Sequence, residues 1–236
     1  MKAIILNSGI GRRMGKLTEN NPKCLVELKD GLTILGHELQ ILAKNGIKDF
    51  IITTGPFEEK IKDYVAKNFP GINVIYVNNP KYNSTNAIYS LFLAKELIDD
   101  DIILMHGDMV FDDMAFKALI GTSHKNAAII DKNADPPEKD FKALVSDGII
   151  RKIAVDINGD NCFFSLPVYK FSKDGFNILL EEITKFVERN EVNVYAENAF
   201  NSISDKISLK PVHVDYFCME IDNLDDLETA KRKFFS

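Results

Sequence analysis

Residues 1–13 read Met1-Lys2-Ala3-Ile4-Ile5-Leu6-Asn7-Ser8-Gly9-Ile10-Gly11-Arg12-Arg13, a short apolar run that leads into a glycine-rich loop. The run from Ala3 to Leu6 predicts a strand that is buried on both faces, because it has no polar alternation. Gly9 and Gly11 allow tight backbone turns whose N–H groups can face a phosphate. The loop alone leaves open a plain glycine-rich turn with incidental basic neighbours.

Two common nucleotide-binding motifs do not fit this loop. A Walker A loop has four residues between its first glycine and Gly-Lys-Ser/Thr, whereas five residues separate Gly9 from Gly15, and Leu17 follows Lys16. A dinucleotide fingerprint needs its third glycine one place earlier than Gly15. A nicotinamide-dependent oxidoreductase is therefore disfavoured.

Four cations follow the glycines, namely Arg12, Arg13, Lys16 and Lys23. The whole chain is acidic, with 29 Lys and Arg against 35 Asp and Glu and a formal charge of −6. A local cluster of positive charge beside backbone donors, in such a chain, predicts a binding site for a triphosphate. The acidic balance argues against nucleic acid as a partner, since duplex binding needs a broad basic surface.

The composition predicts a cytoplasmic globular protein. The chain has 236 residues, of which 45% are hydrophobic, and this is enough for one substantial core. Its 3 cysteines are widely spaced, which suits a reducing compartment better than a disulfide framework. No stretch approaches the roughly 18 apolar residues of a membrane helix, so we expect no membrane partner.

Outward from the first strand, short apolar runs alternate with helical patterns. The expected strands are 3–6, 50–53, 74–77 and 102–105, and the expected helices are one from about 32 to 46, one that ends near 69, and one over 84–97. Strand–helix units in succession predict an α/β fold with a mostly parallel central sheet covered on both faces. Ligands of such sheets bind at the carboxyl ends of the strands.

The alternation becomes irregular after about residue 121. The expected elements are strands at 127–130, 143–145, 149–153, 163–168 and 212–217, a helix that Ser172 caps, and a closing helix that Asn223 caps. The polar segment 131–140 predicts a loop that closes over a ligand. No linker divides the chain, so we expect one domain over 1–236, with halves at about 1–121 and about 122–236.

Two aspartates follow predicted strands, in His106-Gly107-Asp108 and in Glu220-Ile221-Asp222. If both lie at strand carboxyl ends, they converge beside the glycine loop and offer Mg²⁺ the one or two carboxylates that it takes from proteins. Without the ion, the two carboxylates would repel each other. For each aspartate taken singly, a turn or helix-cap role is the alternative.

Two amides, Asn83 and Asn86, stand near the start of the helix expected over 84–97. Their side chains could hydrogen-bond the edge of a base, and helix capping is an equal alternative. The 4 histidines show no metal-ligand spacing, so we expect them at surface or core positions.

Taken together, these motifs resemble the sugar-phosphate nucleotidylyltransferase superfamily. Residues 1–13 resemble its opening strand and signature, L-A-A-G-x-G-x-R, and Leu17-Thr18-Glu19-Asn20-Asn21-Pro22-Lys23 resembles the continuation, T-x-x-x-P-K. The Gly107-Asp108 and Glu220-Ile221-Asp222 motifs extend the resemblance over nearly the whole chain. Asn86-x-x-Tyr89-Ser90-Leu91 is most similar to the phosphocholine and aminoethylphosphonate cytidylyltransferase branch.

The resemblance implies a three-layer α/β/α Rossmann-like nucleotidyltransferase fold, with a nucleotide-binding first half and an acceptor-binding second half. It implies an enzyme of surface-glycan or phosphonate biosynthesis that uses Mg²⁺ and releases pyrophosphate. The enzyme would couple CTP to phosphocholine, aminoethylphosphonate or a related phospho-amino compound. Two alternatives stay open: a sugar-1-phosphate nucleotidylyltransferase that uses UTP or another NTP, and a non-catalytic nucleotide-binding module. A homodimer is compatible with each.

Carried onto this sequence, the resemblance assigns residues to four roles. The catalytic residues would be Lys23 and Arg13, and the Mg²⁺ ligands would be Asp108 and Asp222. The nucleotide would contact Leu6, Asn7, Ser8, Gly9, Gly11, Arg12, Arg13, Lys23, Asn83, Asn86, Gly107 and Asp108. The acceptor would contact Tyr169, Tyr195, Glu197 and Glu220.

The chain departs from the family pattern at three points. Asn7-Ser8 replaces the usual pair of alanines where the loop passes the base, and Arg12 adds charge where the family commonly has a small residue. The sequence contains no tryptophan, so a cage for a quaternary ammonium group would consist of tyrosine or phenylalanine.

Overall fold

Strands and helices alternate along the chain in the computed structural model, which describes residues 1–133 and 138–234. The strands are β1 Lys2–Asn7, β2 Glu27–Lys29, β3 Leu32–Thr33, β4 Asp49–Thr54, β5 Asn73–Asn78, β6 Ile102–His106, β7 Met109–Phe111, β8 Ala127–Asp131, β9 Lys142–Ser146, β10 Ile149–Ala154, β11 Cys162–Phe171, β12 Lys210–His213 and β13 Cys218–Glu220. The α-helices are α1 Ile34–Lys44, α2 Glu58–Asn68, α3 Ala87–Ala94, α4 Asp113–Gly121, α5 Lys173–Glu188, α6 Ala196–Ser202 and α7 Leu224–Phe234. Short 3₁₀ segments cover Arg12–Thr18, Lys23–Leu25 and Lys95–Leu97.

A nine-stranded mixed sheet lies at the centre of the fold. Its main path runs β10-β9-β11-β6-β1-β4-β5, and β8 pairs with both β11 and β12. Strands β6, β1, β4 and β5 are parallel to one another, and β11 joins them antiparallel to β6. The predicted α/β fold with a mostly parallel, mixed central sheet is therefore confirmed.

Helices cover both faces of this sheet, which explains the continuous apolar runs of its strands. Ala3 and Ile5 of β1 pack on one face, with residues of α1, α2 and α4. Ile4, between them, packs on the other face, with residues of α3, α5 and α6. The architecture is thus the expected three layers, α/β/α. Within the described residues, no helix is both long and apolar enough to cross a membrane.

Parallel pairing aligns the carboxyl ends of three strands. Leu6 of β1 stands opposite Thr53 of β4 on one side and opposite His106 of β6 on the other. The segments that follow these residues therefore meet at one edge of the sheet, and they include the glycine-rich loop and Gly107-Asp108.

A separate two-stranded ribbon, β7 with β13, reaches the same edge. Glu220 of β13 is in register with Met109 of β7, and the N–H of Ile221 donates to the carbonyl oxygen of Asp108 at 2.9 Å. This antiparallel pairing brings Asp222 close to Asp108. Their convergence was predicted, but Asp222 reaches the site from this ribbon and not from a strand of the central sheet.

Two predicted elements differ from the structure. The helix expected over 84–97 begins at Ala87, because the side chain of Asn86 caps it, and its end is a 3₁₀ turn. The strand expected at 212–217 is wrong: β12 ends at His213, and β13 begins only at Cys218. The chain must leave β8 between these strands to reach β7, so one continuous strand is excluded. Residues 134–137 of the loop predicted over 131–140 lie outside the described residues.

Candidate active site

A cavity of about 400 Å³ opens at the carboxyl ends of β1 and β6, within the usual size range of small-molecule sites. The glycine loop, the β7–β13 ribbon and the segments before α3 and α6 enclose it. Its lining residues are Leu6, Asn7, Ser8, Gly9, Gly11, Arg12, Arg13, Lys23, Cys24, Asn79, Tyr82, Thr85, Asn86, Ala87, Ser90, His106, Gly107, Asp108, Lys139, Phe141, Val155, Tyr195, Glu220 and Asp222.

The glycine loop packs directly on Lys23. Gly11 has a φ of +70°, in the left-handed region, and a Cβ at this position would lie 2.6 Å from Cβ of Lys23. Both constraints require glycine here. The hydroxyl of Thr18 donates to the carbonyl oxygen of Gly11 at 2.9 Å and holds the far side of the loop. The sequence spacing therefore places the Lys23 stem under the glycines.

The ammonium group of Lys23 lies between the two predicted metal ligands. Nζ of Lys23 is 2.7 Å from Oδ2 of Asp108 and 3.2 Å from Oδ1 of Asp222. Arg13 donates from Nη2 to the same Oδ1 of Asp222 at 2.8 Å. The expectation that the aspartates repel each other in the metal-free protein is wrong, because the ammonium group of Lys23 lies between them and Arg13 adds a second positive charge beside Asp222.

The charges of this group are stabilised by one another. Burial works against the charge on Lys23, but Asp108 and Asp222 outweigh it and raise the pKa of the lysine. Burial would raise the pKa of Asp222, yet Lys23 and Arg13 hold it below its usual value. The lysine is therefore an ammonium donor and the aspartate a carboxylate at neutral pH.

Arg12 and Arg13 differ in their surroundings. Arg12 donates from Nη2 to Oδ1 of Asn83 at 2.8 Å on the exposed rim of the cavity. The side chain of Arg13 is 65% exposed even though it reaches Asp222. Both arginine side chains line the cavity and are exposed, so a negatively charged ligand can reach their guanidinium groups.

A chain of buried polar groups forms the other end of the cavity. Nδ2 of Asn79 donates to the hydroxyl of Ser90 at 3.1 Å, Ser90 to Ser8 at 3.0 Å, and Ser8 to Thr53 at 2.9 Å. The same Nδ2 donates to Oγ1 of Thr85 at 3.0 Å. Alternating donors and acceptors of this kind can read the edge of a base.

Asn86 uses its side-chain oxygen as a helix cap. Oδ1 accepts a hydrogen bond of 2.7 Å from the N–H of Ala87, the first residue of α3. The capping alternative therefore describes the side-chain oxygen, and Asn86 is also one of the residues that line the cavity.

Phe141 and Tyr195 line the cavity beside Lys139 and Glu220. The two aromatic rings meet edge to face with centroids 5.0 Å apart, and Tyr195 is 43% exposed. Lys139 forms an ion pair with Asp226 of α7. This end therefore combines aromatic faces, a carboxylate and a cation.

A buried group of ionisable side chains lies beneath this end. Nε2 of His106 is 3.3 Å from Oε1 of Glu197, and Nδ1 is 3.6 Å from Oε1 of Glu220. Burial would lower the pKa of His106, but Glu197 and Glu220 raise it well above its usual range. Burial would raise the pKa of Glu197, and the His106 charge holds it below its usual value. Burial raises the pKa of Glu220 to about 7.

Two sets of side chains could hold a cation. His106, Asp108 and Glu220 form one set, and Asp140, Glu220 and Asp222 form the other, with the donor atoms of each set within 4.8 Å of one another. Within the described part of the chain, Oδ1 of Asp108 is buried without a hydrogen-bond partner. Carboxylate oxygens are the donors that Mg²⁺ prefers.

Most residues that the resemblance assigned do line this one cavity. The exceptions are Asn83, Tyr169 and Glu197. Asn83 lies on the rim, where it contacts Arg12. Tyr169 and Glu197 are only 3% and 4% exposed and are hydrogen-bonded to each other in the layer below. The expectation that Tyr169 and Glu197 contact the acceptor directly is therefore wrong, because both side chains are buried below the cavity.

Several lining residues were not predicted. Asn79 directly follows β5, so the rule that ligands bind at strand carboxyl ends could have found it. His106 was expected at the surface or in the core, because Glu220, with which it could bind a cation, is remote in the sequence. Its position two residues before Asp108 was the usable signal. Lys139 belongs to the loop predicted over 131–140, and Phe141 follows that loop directly, but no motif indicated either residue.

Comparison with known proteins identifies the family to which the chain belongs. The sequence profile of the MobA-like NTP transferase domain matches residues 3–164. The chain is 26% identical to the CTP:phosphoglutamine cytidylyltransferase of Campylobacter jejuni, over 99% of this chain and 100% of that protein. It is 29% identical to the bifunctional protein GlmU of Methanocaldococcus jannaschii, over 81% of this chain and 44% of that protein, so it spans less than half of this relative.

The fold is similar to that of solved structures. A structure of the CTP:phosphocholine cytidylyltransferase of Streptococcus pneumoniae superposes with a TM-score of 0.82, at 23% identity, over 98% of this chain and 97% of that one. This likeness extends over all three layers and agrees with the expected nucleotidyltransferase fold.

Proposed function

The chain belongs to the family of MobA-like NTP transferase domains and is a nucleotidyltransferase of the sugar-phosphate family, and from this premise we propose that it is a Mg²⁺-dependent cytidylyltransferase. In the proposed reaction, an oxygen of a phosphorylated or phosphonylated acceptor attacks the α-phosphorus of CTP. The bond from this phosphorus to the bridging oxygen breaks, and pyrophosphate leaves with that electron pair. No oxidant or reductant is needed.

The position of Lys23 carries this proposal. Its ammonium group lies between Asp108 and Asp222 at the floor of the cavity, directly beneath the glycine loop. A triphosphate on the loop would bring its α-phosphate to this group. Charge on the phosphoryl oxygens redistributes as the bond breaks, so a fixed ammonium donor lowers the barrier.

Asp108 and Asp222 fit a role as Mg²⁺ ligands. The buried Oδ1 of Asp108 lacks a partner among the described residues, and Asp222 belongs to an acidic set with Asp140 and Glu220. When bound, Mg²⁺ would neutralise phosphate charge and fix the triphosphate. In the metal-free protein, Lys23 and Arg13 hold the two carboxylates in place. Once Mg²⁺ binds the carboxylates, both cations would be available to the phosphates.

The chain's own residues have little covalent chemistry to supply. Phosphoryl transfers are accelerated mainly by alignment and by neutralisation of charge. Cys24 lines the cavity, but burial raises the pKa of its thiol well above the usual range, so it is not a thiolate nucleophile. The cavity lining is therefore consistent with a direct transfer, in which Lys23, Arg13 and the loop amides only orient and stabilise the phosphates.

CTP is the proposed nucleotide because of the polar chain at the other end of the cavity. Asn79, Ser90 and Ser8 are buried and mutually hydrogen-bonded, which fixes their donors and acceptors. The Asn86 amide group adds a donor beside them. The full-length similarity to a CTP-dependent relative supports the choice of base.

The proposed acceptor is a phosphorylated or phosphonylated compound that carries an amino or ammonium group. Tyr195 and Phe141 contribute aromatic surface to the cavity lining, and Glu220 contributes a carboxyl group. Aromatic faces and carboxylates attract a cation. Phosphocholine, aminoethylphosphonate and phosphoglutamine-like compounds share this chemistry.

A sugar 1-phosphate with UTP is the second candidate. The 29% identity to an archaeal bifunctional GlmU favours it. The two candidates differ in base and in acceptor, so one panel of reactions separates them.

The test is pyrophosphate release by the purified protein with Mg²⁺. CTP, UTP, ATP and GTP are each combined with phosphocholine, 2-aminoethylphosphonate, phosphoglutamine and glucose 1-phosphate, and reactions without acceptor serve as the blank. We expect pyrophosphate release with CTP and an acceptor that carries an amino or ammonium group. Release only with UTP and glucose 1-phosphate would select the second candidate. Binding of CTP without release for any pair would favour a non-catalytic module.

A further inference from the structure

Two buried residues behind the cavity have no role in the proposed reaction so far. Tyr169 lies on β11 and Glu197 in the first turn of α6, and the Tyr169 hydroxyl donates to Oε1 of Glu197 at 2.8 Å. Their neighbours are apolar, including Leu104, Phe171 and Phe200. A carboxylate in such surroundings needs an explanation, because apolar side chains of similar size would usually give equal or greater stability.

His106 connects this buried pair with the cavity. Oε1 of Glu197 lies 3.3 Å from Nε2 of the ring, and Oε1 of Glu220 lies 3.6 Å from Nδ1 on the opposite side. The ring therefore lies between the two carboxyl groups, with a different nitrogen toward each, so a displacement of Glu197 would be passed through the ring to Glu220. The edge of the Phe141 ring, with centroids 5.7 Å apart, further limits rotation of the imidazole.

Glu220 is the member of this group that reaches the ligand. It lines the cavity, and it belongs both to the acidic set with Asp108 and to the set with Asp222. A small displacement of Glu220 would therefore change the spacing of the carboxyl groups around the reacting phosphate and the acceptor. His106 contacts the Glu220 side chain, with Nδ1 of the ring 3.6 Å from Oε1.

We propose that Glu197, held by Tyr169, is a positioning residue that acts through His106 to fix Glu220 at the acceptor end of the cavity. Outer contacts of this kind set the direction of an inner ligand and usually change activity by about 10-fold to 100-fold when they are removed. The kinetic part of this inference rests on the proposed function, because Glu220 is there an acceptor-side group.

The kinetic test is a double-mutant cycle of Glu197→Gln with Glu220→Gln. Glutamine keeps the size of the side chain and can still accept from Tyr169, but it lacks the charge that holds His106. We expect Glu197→Gln to lower kcat/KM for the acceptor by about 10-fold or more, with KM for CTP unchanged. In the Glu220→Gln background, the same substitution should change kcat/KM by less than about twofold, since the residue through which it acts is already altered.

Two controls separate positioning from a general loss of stability. Glu191→Gln removes an exposed carboxylate that pairs with Arg189 at the surface, and it should leave all kinetic parameters unchanged. Tyr169→Phe keeps the charged pair, so it should give a smaller loss in the same direction and remain usable if Glu197→Gln fails to fold. Equal losses from Glu197→Gln in both backgrounds would overturn the proposal.

Crystal structures of wild type and of the two variants give a result that does not depend on activity. We expect the His106 ring to turn away from Glu220 in Glu197→Gln, or to shift in part in Tyr169→Phe, and the Glu220 side chain to lose its wild-type position. Unchanged His106 and Glu220 in both variants would contradict the inference. If wild type releases no pyrophosphate with any substrate pair, the proposed function fails, and these structures still decide the positioning role.

Discussion

Nζ of Lys23 donates a hydrogen bond of 2.7 Å to Oδ2 of Asp108, across 85 positions of the sequence. This contact joins the segment after the glycine loop to the segment after β6. Because Asp222 accepts from the same ammonium group at 3.2 Å, one lysine links three separate parts of the chain at the floor of the cavity.

Substitution of Lys23 should affect the chemical step more than binding. In Lys23→Ala the ammonium donor is lost, so we expect kcat to fall by about 100-fold or more, with a much smaller change in the Kd for CTP. The matched control is Lys16→Ala, because this lysine of the predicted cation cluster is exposed and is not among the residues that line the cavity. Single-turnover rates and CTP titrations check both variants. Loss of CTP binding with an unchanged single-turnover rate would reduce Lys23 to a binding residue.

Asp108→Asn should separate activity from stability. Asparagine keeps an oxygen that can accept from Lys23, and Lys23 keeps its ion pair with Asp222, so we expect the metal-free protein to lose no more than about 2 kcal/mol of stability. Turnover should fall by about 100-fold, and the rise in Tm that Mg²⁺ with CTP gives to wild type should shrink. Asp205→Asn, at an exposed site, is the control. Near-normal turnover in Asp108→Asn would remove Asp108 from the metal site.

The sequence predicted the layers and the convergence of the two aspartates, but not the contacts between side chains. Strand runs and motif order are local, whereas the position of Lys23 between two carboxylates depends on how distant segments pack. The burial of Tyr169 could not be predicted from local sequence either. Strand β11 is almost entirely apolar, so no alternation indicates which of its side chains face the cavity and which the core. The β7–β13 ribbon was missed because each strand has only three residues.

Asn86 offers a test that distinguishes a helix cap from a base contact. Asn86→Ser keeps an oxygen that can cap α3 but removes the amide donor, whereas Asn86→Ala removes both. We expect both variants to raise KM for CTP more than KM for the acceptor, and only Asn86→Ala to lose about 1 kcal/mol of stability. If Asn86→Ser binds CTP as wild type does, Asn86 serves α3 alone.

His37 should make the stability of the protein depend on pH. Burial lowers the pKa of this histidine from 6.5 to about 4, and Nε2 lies 3.0 Å from the carbonyl oxygen of Phe111. Below pH 6.5 the unfolded chain binds a proton that the folded chain accepts only near pH 4. The free energy of unfolding should therefore decrease as the pH falls through this window, by about 2 kcal/mol at pH 5.

The comparison with His37→Gln isolates this effect. The neighbouring Glu38 acts in the opposite direction, because burial raises its pKa well above 4.5 and its contribution is lost as the pH rises. Both proteins retain Glu38, so the difference between them reports His37. Denaturant unfolding at pH 7 and pH 5 should show the larger loss in wild type. Equal losses of unfolding free energy in the two proteins would mean that the pKa of His37 is the same in the folded and unfolded states.

A crystal structure with Mg²⁺ and the non-cleavable α,β-methylene analogue of CTP tests nucleotidyl transfer at this cavity most directly. We predict that the triphosphate lies on the loop from Gly9 to Arg13, with the α-phosphate within hydrogen-bond distance of Lys23 and the metal ion on Asp108 and Asp222. The cytosine would lie against Ser8 and Asn79. A nucleotide bound elsewhere, or one whose phosphates point away from Lys23, would contradict the proposed site.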